Sequence, residues 1–354
     1  MAKRVTIKEI AQEAGVSFQI VSKVLKNEGR VTDETRQRIL NTADRLGYVP
    51  NRIARSLVHQ RTRMLGFLAS NLTDYVLTQF LVGAEQETRR QGYSFIVVAL
   101  GDPADNVASD LKLLLEQQAD GILLAAPQLE RNPEVPRILA RRVPVVSIHR
   151  VEGDFASMVG SSQTMIGEQA TRHLLDLGYR KIGMITGTMA RQATYGRSRG
   201  YRQALQQFNL PYDEKLVEEG DWHAESGHKA TLRLLKREPG LDAIFAQNDL
   251  MAIGALHALA DLKRRVPEDC AVIGVDDIPT AVHTIPPLST VHLPILETGQ
   301  VAVRLLLETI EKDEPREVKR VLLPTWVVCR QSTSGAIGHA LNTEGSYASG
   351  ADQD

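Results

Sequence analysis

Between residues 65 and 275, short apolar runs alternate with longer amphipathic stretches, and this alternation constrains the fold most. The apolar runs fall at 65–68, 94–100, 121–125, 145–148, 181–186, 243–246 and 272–275. Helical periodicity lies between them, near 76–91, 105–117, 164–177, 195–207, 224–237 and 248–262. Strands apolar along their whole length are buried on both faces, and strands alternating with helices build parallel sheets covered on either side. The α/β body of about 270 residues is too long for one open sheet, so two sheets side by side are expected. Ligands in such folds sit beyond the carboxyl ends of strands, often between lobes.

Ahead of this body, residues 7–25 read IKEIAQEAGVSFQIVSKVL. Thr6 and Glu9 make a T-x-x-E capping box, so a helix starts at Thr6. Gly15 accepts positive φ and lets the chain turn out of that helix, and Ser17 then caps a second one. Two short helices joined in this way form a helix-turn-helix, whose second helix lies in a DNA major groove. Taken alone, the stretch also fits a helical hairpin in some other core. Thr32 is placed to cap a third helix, with Asp33 and Glu34 in its first turn, a stripe of Ile39, Ala43 and Leu46, and Gly47 at its end. Pro50 stops this structure and Asn51 can cap a short helix through about Val58. Such a helix is too short to persist alone in water, so it orders only against DNA or a second copy of itself. Leu57 is its best wedge for a minor-groove step. A plain interdomain linker is the alternative.

The charge follows the same division. Net charge is −1, yet residues 1–63 carry 13 basic and 6 acidic side chains. A basic head on an acidic body suits a nucleic-acid-binding segment attached to a non-binding one. No run of about 18 apolar residues suggests a membrane span. The N-terminus lacks the apolar core of a secretory signal, and Cys270 and Cys329 make no disulfide framework, so a cytoplasmic protein is expected.

With these motifs in place, the sequence resembles the LacI/GalR family of bacterial transcription regulators. The matching text is T-I-K-E-I-A-x-x-A-G-V-S at 6–17, V-S-K-V-L at 21–25, V-T-x-x-T-R at 31–36, L-G-Y-x-P-N at 46–51 and A-R-x-L at 54–57. In the body it continues with H-L-x-x-L-G-Y-x-K-I at 173–182, R-x-x-G-Y-x-x-A-L at 197–205, G-D-W at 220–222, A-x-N-D-x-M-A-x-G at 246–254, V-I-G-V-D-D at 272–277 and P-P-L-S-T-V at 286–291. The resemblance implies a homodimer on double-stranded, pseudo-palindromic operator DNA, with paired hinge helices at 48–61. It also implies a periplasmic-binding-protein-like core at 62–334. That core has two discontinuous subdomains, with crossings near 162, 291 and 323.

By the same resemblance, Phe18 and Gln19 read base edges. Gln can bond bidentately to adenine, whereas Phe offers only apolar contact. Ser17, Ser22, Asn27, Tyr48 and Asn51 are candidates for phosphate contacts, with local capping as the alternative, and Thr6, Lys23, Ala54 and Leu57 complete the DNA-facing set. Ile20, Lys23 and Lys26 depart from the family's usual Thr, Arg and Asn. Lys is a point charge, not a fork, which makes Lys23 a weaker guanine reader and leaves the operator sequence unread.

For the effector, the resemblance carries over Arg197, Trp222 and Asp276, with Asn248 and Asp249 at a similar strand end. Arg197 can hold an anion or a hydroxyl pair, Asp276 accepts from hydroxyls or amines, and Trp222 offers a flat face. The alternative is that Asp249 caps a helix while Arg197 and Asp276 pair with each other. His149 stands where sugar-binding relatives usually show Asp, and Ser162-Gln163 where an Asp-Asn pair is common. The usual N-P-F is missing near residue 74, and Asn71, Asp74 and Tyr75 stand in its place. With fewer carboxylates, the pocket is less committed to a sugar. A nucleoside-like or phosphorylated metabolite suits Arg197 and His149 as well.

The last 20 residues are Gly/Ser/Ala-rich without leucine heptads, so a disordered tail and a dimer are expected rather than a tetramer. The G-R-S-R-G at 196–200 lies inside a helical stretch and makes no strand-to-helix elbow, and no G-x-x-x-x-G-K-[ST], H-E-x-x-H or G-x-G-x-x-G after the first strand is present, so neither an enzyme nor a cofactor or metal is expected. A ligand-responsive repressor is the leading function. A cytosolic small-molecule receptor without specific DNA binding is the alternative.

Overall fold

The computed structural model describes residues 5–25, 28–48, 61–70, 72–100, 107–140, 142–312 and 317–334. The chain divides into two units, Met1–Thr62 and Arg63–Asp354. The expected hinge helix and the C-terminal tail lie outside the described residues.

The first unit holds three helices, α1 (Ile7–Ala14), α2 (Phe18–Leu25) and α3 (Asp33–Arg45). The capping box forms: Thr6 N–H donates to Glu9 Oε2 at 2.7 Å, and Glu9 N–H donates back to Thr6 Oγ1 at 3.4 Å. Gly15 has φ 65°, which turns the chain, and Ser17 Oγ accepts from Ile20 N–H at 3.4 Å to start α2. Thr32 departs from expectation. It stands at the N-cap, but its hydroxyl donates to Thr35 Oγ1 at 2.9 Å and makes no cap hydrogen bond, while Asp33 and Glu34 sit in the first turn where the helix dipole favours them. Ile10, Val21, Val24 and Ile39, with Ala11, Ala14 and Ala43, form the small core.

The second unit contains two six-stranded sheets. The first is ordered β11-β5-β4-β3-β1-β2. Its strands are β1 (Met64–Ala69), β2 (Ser94–Ala99), β3 (Gly121–Ala125), β4 (Val145–Ser147), β5 (Ala156–Gly160) and β11 (Arg320–Leu322). The second is ordered β12-β10-β9-β8-β6-β7, from β6 (Ile182–Thr186), β7 (Val217–Glu219), β8 (Ala243–Ala246), β9 (Ala271–Asp276), β10 (Ser289–His292) and β12 (Trp326–Val328). Described pairings are parallel except β12, which runs antiparallel to β10. The helices are α4 (Tyr75–Arg90), α5 (Val107–Glu116), α6 (Glu134–Leu139), α7 (Gln163–Asp176), α8 (Gln192–Gln207), α9 (Ala224–Arg237), α10 (Asp249–Asp261), α11 (Ile295–Glu311) and α12 (Gln331–Ser334). No described helix is long and apolar enough to cross a membrane.

The chain passes from one sheet to the other three times, at 161–162, 293–294 and 323–325. Three helix pairs cross at facing glycines. A Cβ on Gly83 would lie 2.0 Å from Leu296 O, and one on Gly299 2.3 Å from Phe80 O, which brings α4 onto α11. Gly167 and Gly200 join α7 to α8 in the same way, and Gly227 and Gly254 join α9 to α10. Without a side chain at the crossing, the helix backbones touch and their neighbouring residues come into register.

Candidate functional site

In the first unit, α2 turns one face to its core and leaves the other in solvent. Val21 and Val24 are buried, while Ser17, Phe18, Gln19 and Lys23 are exposed and Ser22 is half-buried. Phe18 is 55% exposed, an unusual position for an apolar ring in so small a domain. These side chains line one edge of the helix with its N-terminus leading, as a groove-reading helix requires. Thr6 is exposed beside its capping partner. The Tyr48 ring packs against the small core. Asn27, Asn51, Ala54 and Leu57 lie outside the described residues.

In the second unit, a cavity opens between the two sheets at the carboxyl ends of their strands. Asp74, Glu130 and His149 line it from the first subdomain, and Arg191, Arg197, Trp222, Asn248 and Asp276 from the second. Asp74 caps α4, its Oδ1 accepting from Leu77 N–H at 3.1 Å. Trp222 reaches the cavity from a backbone at φ 75°, and its ring lies so close over Gly187 that a Cβ there would fall 1.9 Å from Cζ2. The guanidiniums of Arg191 and Arg197 sit 5.3 and 5.7 Å from the indole centroid. Arg197 is buried: Nε donates to Gln163 Oε1 at 2.9 Å and Nη1 to the Gln247 carbonyl. The Arg191 guanidinium makes no hydrogen bond or ion pair to any described residue, so in this cavity its charge is met by the indole face and more distant carboxylates.

Burial dominates the electrostatics. It raises the Asp276 carboxyl well above the usual range, with Arg197 pulling the other way and Asp249 and Asp74 adding to the rise. Burial likewise raises Glu130, against a hydrogen bond from Gln192 N–H at 2.9 Å and the charges of Arg191 and Arg131. Burial lowers His149 to about 3, helped by Arg191 and Arg197, so the ring is neutral. Its Nδ1 lies 3.6 Å from Glu130 Oε1, and its Nε2 is sealed from solvent with no hydrogen-bond partner among the described residues. A buried polar atom left unpaired in a cavity costs free energy that a ligand group can return.

Sequence reasoning and structure part at several residues. Asp249 is fully buried and does not line the cavity. Its Oδ1 accepts from Thr290 Oγ1 at 2.6 Å and its Oδ2 from Ile278 N–H at 2.9 Å, which binds α10 to β10 and the loop after β9. The helix cap beside it is Asn248, whose Oδ1 accepts from Met251 N–H and whose Nδ2 donates to the Trp222 carbonyl, both at 2.9 Å. Asn248 therefore shapes the wall while its amide is already engaged. Arg197 and Asp276 sense each other's charge, yet form no ion pair within 4.0 Å. Tyr75 is 39% exposed and lies off the cavity, and Asn71 falls outside the described residues. Glu130, Arg191 and Gln163 are lining residues that the sequence left unassigned as contacts. Glu130 and Arg191 follow the carboxyl ends of β3 and β6, and that placement was the available signal. Glu130 also restores a carboxylate to a cavity that seemed short of them, which removes the argument against a sugar.

Comparison with known proteins gives a consistent picture. Residues 6–51 match the model of bacterial regulatory proteins of the lacI family, and residues 171–333 match a periplasmic binding protein-like domain. The transcriptional regulator CelR of Thermobifida fusca is 35% identical over 339 residues, 93% of this chain and 98% of that protein. The transcriptional repressor PurR of Vibrio atlanticus is 32% identical over 324 residues, 89% of this chain and 94% of that one. Among solved structures, a lac repressor dimer bound to operator and the anti-inducer ONPF superposes with a TM-score of 0.81. Its identity is 27%, over 94% of this chain and 99% of that one. A CelR–cellobiose complex superposes with a TM-score of 0.70 at 34% identity, over 93% and 100%.

Proposed function

This chain belongs to the LacI family of bacterial regulatory proteins, and from that membership we propose a repressor that grips its operator as a homodimer and is controlled by a small molecule in the cleft. It is a transcriptional regulator, not an enzyme. In the proposed complex, Phe18, Gln19 and Lys23 face base edges. Thr6, Ser17, Ser22, Asn27, Tyr48 and Asn51 face the phosphate backbone, and Ala54 and Leu57 enter the central minor groove. One observation carries the effector half: a cavity walled by both lobes holds the Arg191 guanidinium with no hydrogen-bond partner among the described residues, beside an aromatic face. A guanidinium fork at an indole, with carboxylates Asp74, Glu130 and Asp276 lining the same cavity, suits a polyhydroxylated ring whose hydroxyls both donate and accept. A sugar is therefore the proposed effector class, and the relative crystallised with cellobiose supports it. A nucleobase is the second reading, favoured by the unpaired His149 Nε2.

Ligand binding in a two-lobed cavity shifts the balance between lobe arrangements, and only by its differential affinity for them. A thermal-shift screen of cellobiose, monosaccharides, nucleobases and sugar phosphates, followed by operator gel shifts with each stabilising compound, tests the proposal. The expected result is a compound that changes operator affinity about 5-fold or more. Arg197→Ala should lose the ligand response and keep the operator. A stabilising compound that leaves operator affinity untouched would overturn effector control by that ligand.

A further inference from the structure

On the outer side of the second subdomain, three side chains converge that the operator and effector readings do not use. His228 stands on α9, and His257 and Asp261 stand one turn apart on α10. The close crossing at Gly227 and Gly254 brings the two helices together. A Cβ on Gly254 would fall 2.7 Å from the backbone nitrogen of His228 itself. The imidazole of His228 therefore lies over that of His257, with centroids 5.0 Å apart and ring planes inclined by 46°. Each ring turns Nε2 toward a different oxygen of the same carboxylate. His228 Nε2 is 2.8 Å from Asp261 Oδ2, and His257 Nε2 is 3.7 Å from Oδ1. The three donor atoms all lie within 4.8 Å of one another.

We propose that His228, His257 and Asp261 form a binding site for one divalent transition-metal ion, with zinc the expected occupant and water in the fourth position. A tetrahedral zinc with bonds near 2.0–2.1 Å sets its donors roughly 3.3 Å apart. The observed cluster needs only small side-chain rotations to reach that spacing. Two nitrogens and one carboxylate oxygen suit zinc, copper or nickel, and they do not suit magnesium or calcium, which want oxygen. Both ring-bearing positions are helical, so the backbone is already fixed when the ion arrives. His228 is largely packed, with 20% of its side chain exposed, whereas His257 at 72% and Asp261 at 52% are free to adjust. Glu225 stands near both rings and pairs with Lys229 at 2.9 Å, adding a carboxylate to the surrounding field. Only His228 is within hydrogen-bond distance of Asp261, and His257 Nε2 stays 3.7 Å from its oxygen. A metal ion satisfies both together with the carboxylate.

The full-length chain, stripped with a chelator and titrated with Co²⁺, should develop the visible absorption of a low-coordinate cobalt site at one ion per chain, and Zn²⁺ should bleach it. Zn²⁺ should also raise the unfolding midpoint by several degrees, because an ion that binds only the folded state stabilises it, and Mg²⁺ should not. His257→Ala and Asp261→Asn change exposed side chains, and each should reduce Co²⁺ affinity by at least tenfold with a metal-free midpoint close to the parent's. Equal Co²⁺ uptake by the double variant and the parent would overturn the proposal, as would a Zn²⁺ shift no larger than that of Mg²⁺.

Discussion

Asp249 illustrates how a single residue can carry the family's motif and still act outside the cavity. Burial pushes its carboxyl up to about 7, while the hydrogen bonds from Thr290 and Ile278 hold it down. A folded-state value raised above the unfolded one gives stability that is complete below about pH 4 and is lost as pH rises toward 7. His149 at about 3 and His173 at about 4 act in the opposite sense. Both are lowered by burial, so their contribution is present above about 6.5 and lost as pH falls. An Asn at 249 can keep one oxygen toward Ile278 N–H and turn its amide toward Thr290, without a titrating proton. Urea unfolding at pH 4.5, 6 and 7.5 should show Asp249→Asn gaining on the parent as pH rises, by at most about 1.4 kcal/mol per pH unit. A constant difference across that range would mean the carboxyl titrates normally. At this scale the sequence located Asp74, His149, Arg197, Trp222, Asn248 and Asp276 at one cavity. It missed Arg191 and Glu130, and named Gln163 only as part of a departure from an Asp-Asn pair, because residues beyond strand ends have no periodicity to mark them.

The elements repeat one device, the helix pair crossing at two glycines. At the α7–α8 crossing it also sets the cavity, because a Cβ on Gly167 would lie 2.0 Å from the carbonyl oxygen of Arg197 and 2.8 Å from its Cα. Backbone cannot rotate aside as a side chain does, so the helices must separate. Gly167→Ala should cost about 1–3 kcal/mol in urea unfolding. It should also weaken ligand binding, which calorimetry with the compound identified by thermal shift would read. Unchanged stability would show that the pair can slide apart freely. All seven apolar runs of the sequence appear as strands, since each is long enough for its burial to register as a pattern. Strands β5, β7, β10, β11 and β12 escape such reasoning: β5, β7, β10 and β11 mix polar residues or glycine into their length, and β12 has only three residues. Helix α11 is the instructive omission: its 17 residues are amphipathic, yet no strand-forming run follows closely enough to complete the alternation that identified the others.

For the whole molecule, the division of charge is the lever on DNA. The basic segment of residues 1–63 releases counterions when it meets phosphate, so operator affinity should fall steeply and linearly on a log–log plot against salt. Lys23→Gln should make that slope shallower by up to about one unit per head if its ammonium meets a phosphate. An unchanged slope with lost sequence preference would place Lys23 at a base edge instead. The three passages between lobes have a consequence for how the chain is made. Both sheets take an outermost strand, β11 beside β5 and β12 beside β10, from residues 320–328. A protein emerging from the ribosome exposes the first unit early, when its three helices already hold every partner they need. Neither lobe of the second unit is complete until almost the whole chain has been synthesised. Until then β5 and β10 each present a bare edge to any other unfinished strand nearby. The order of synthesis thus delivers the DNA-reading part first and the controlling part last.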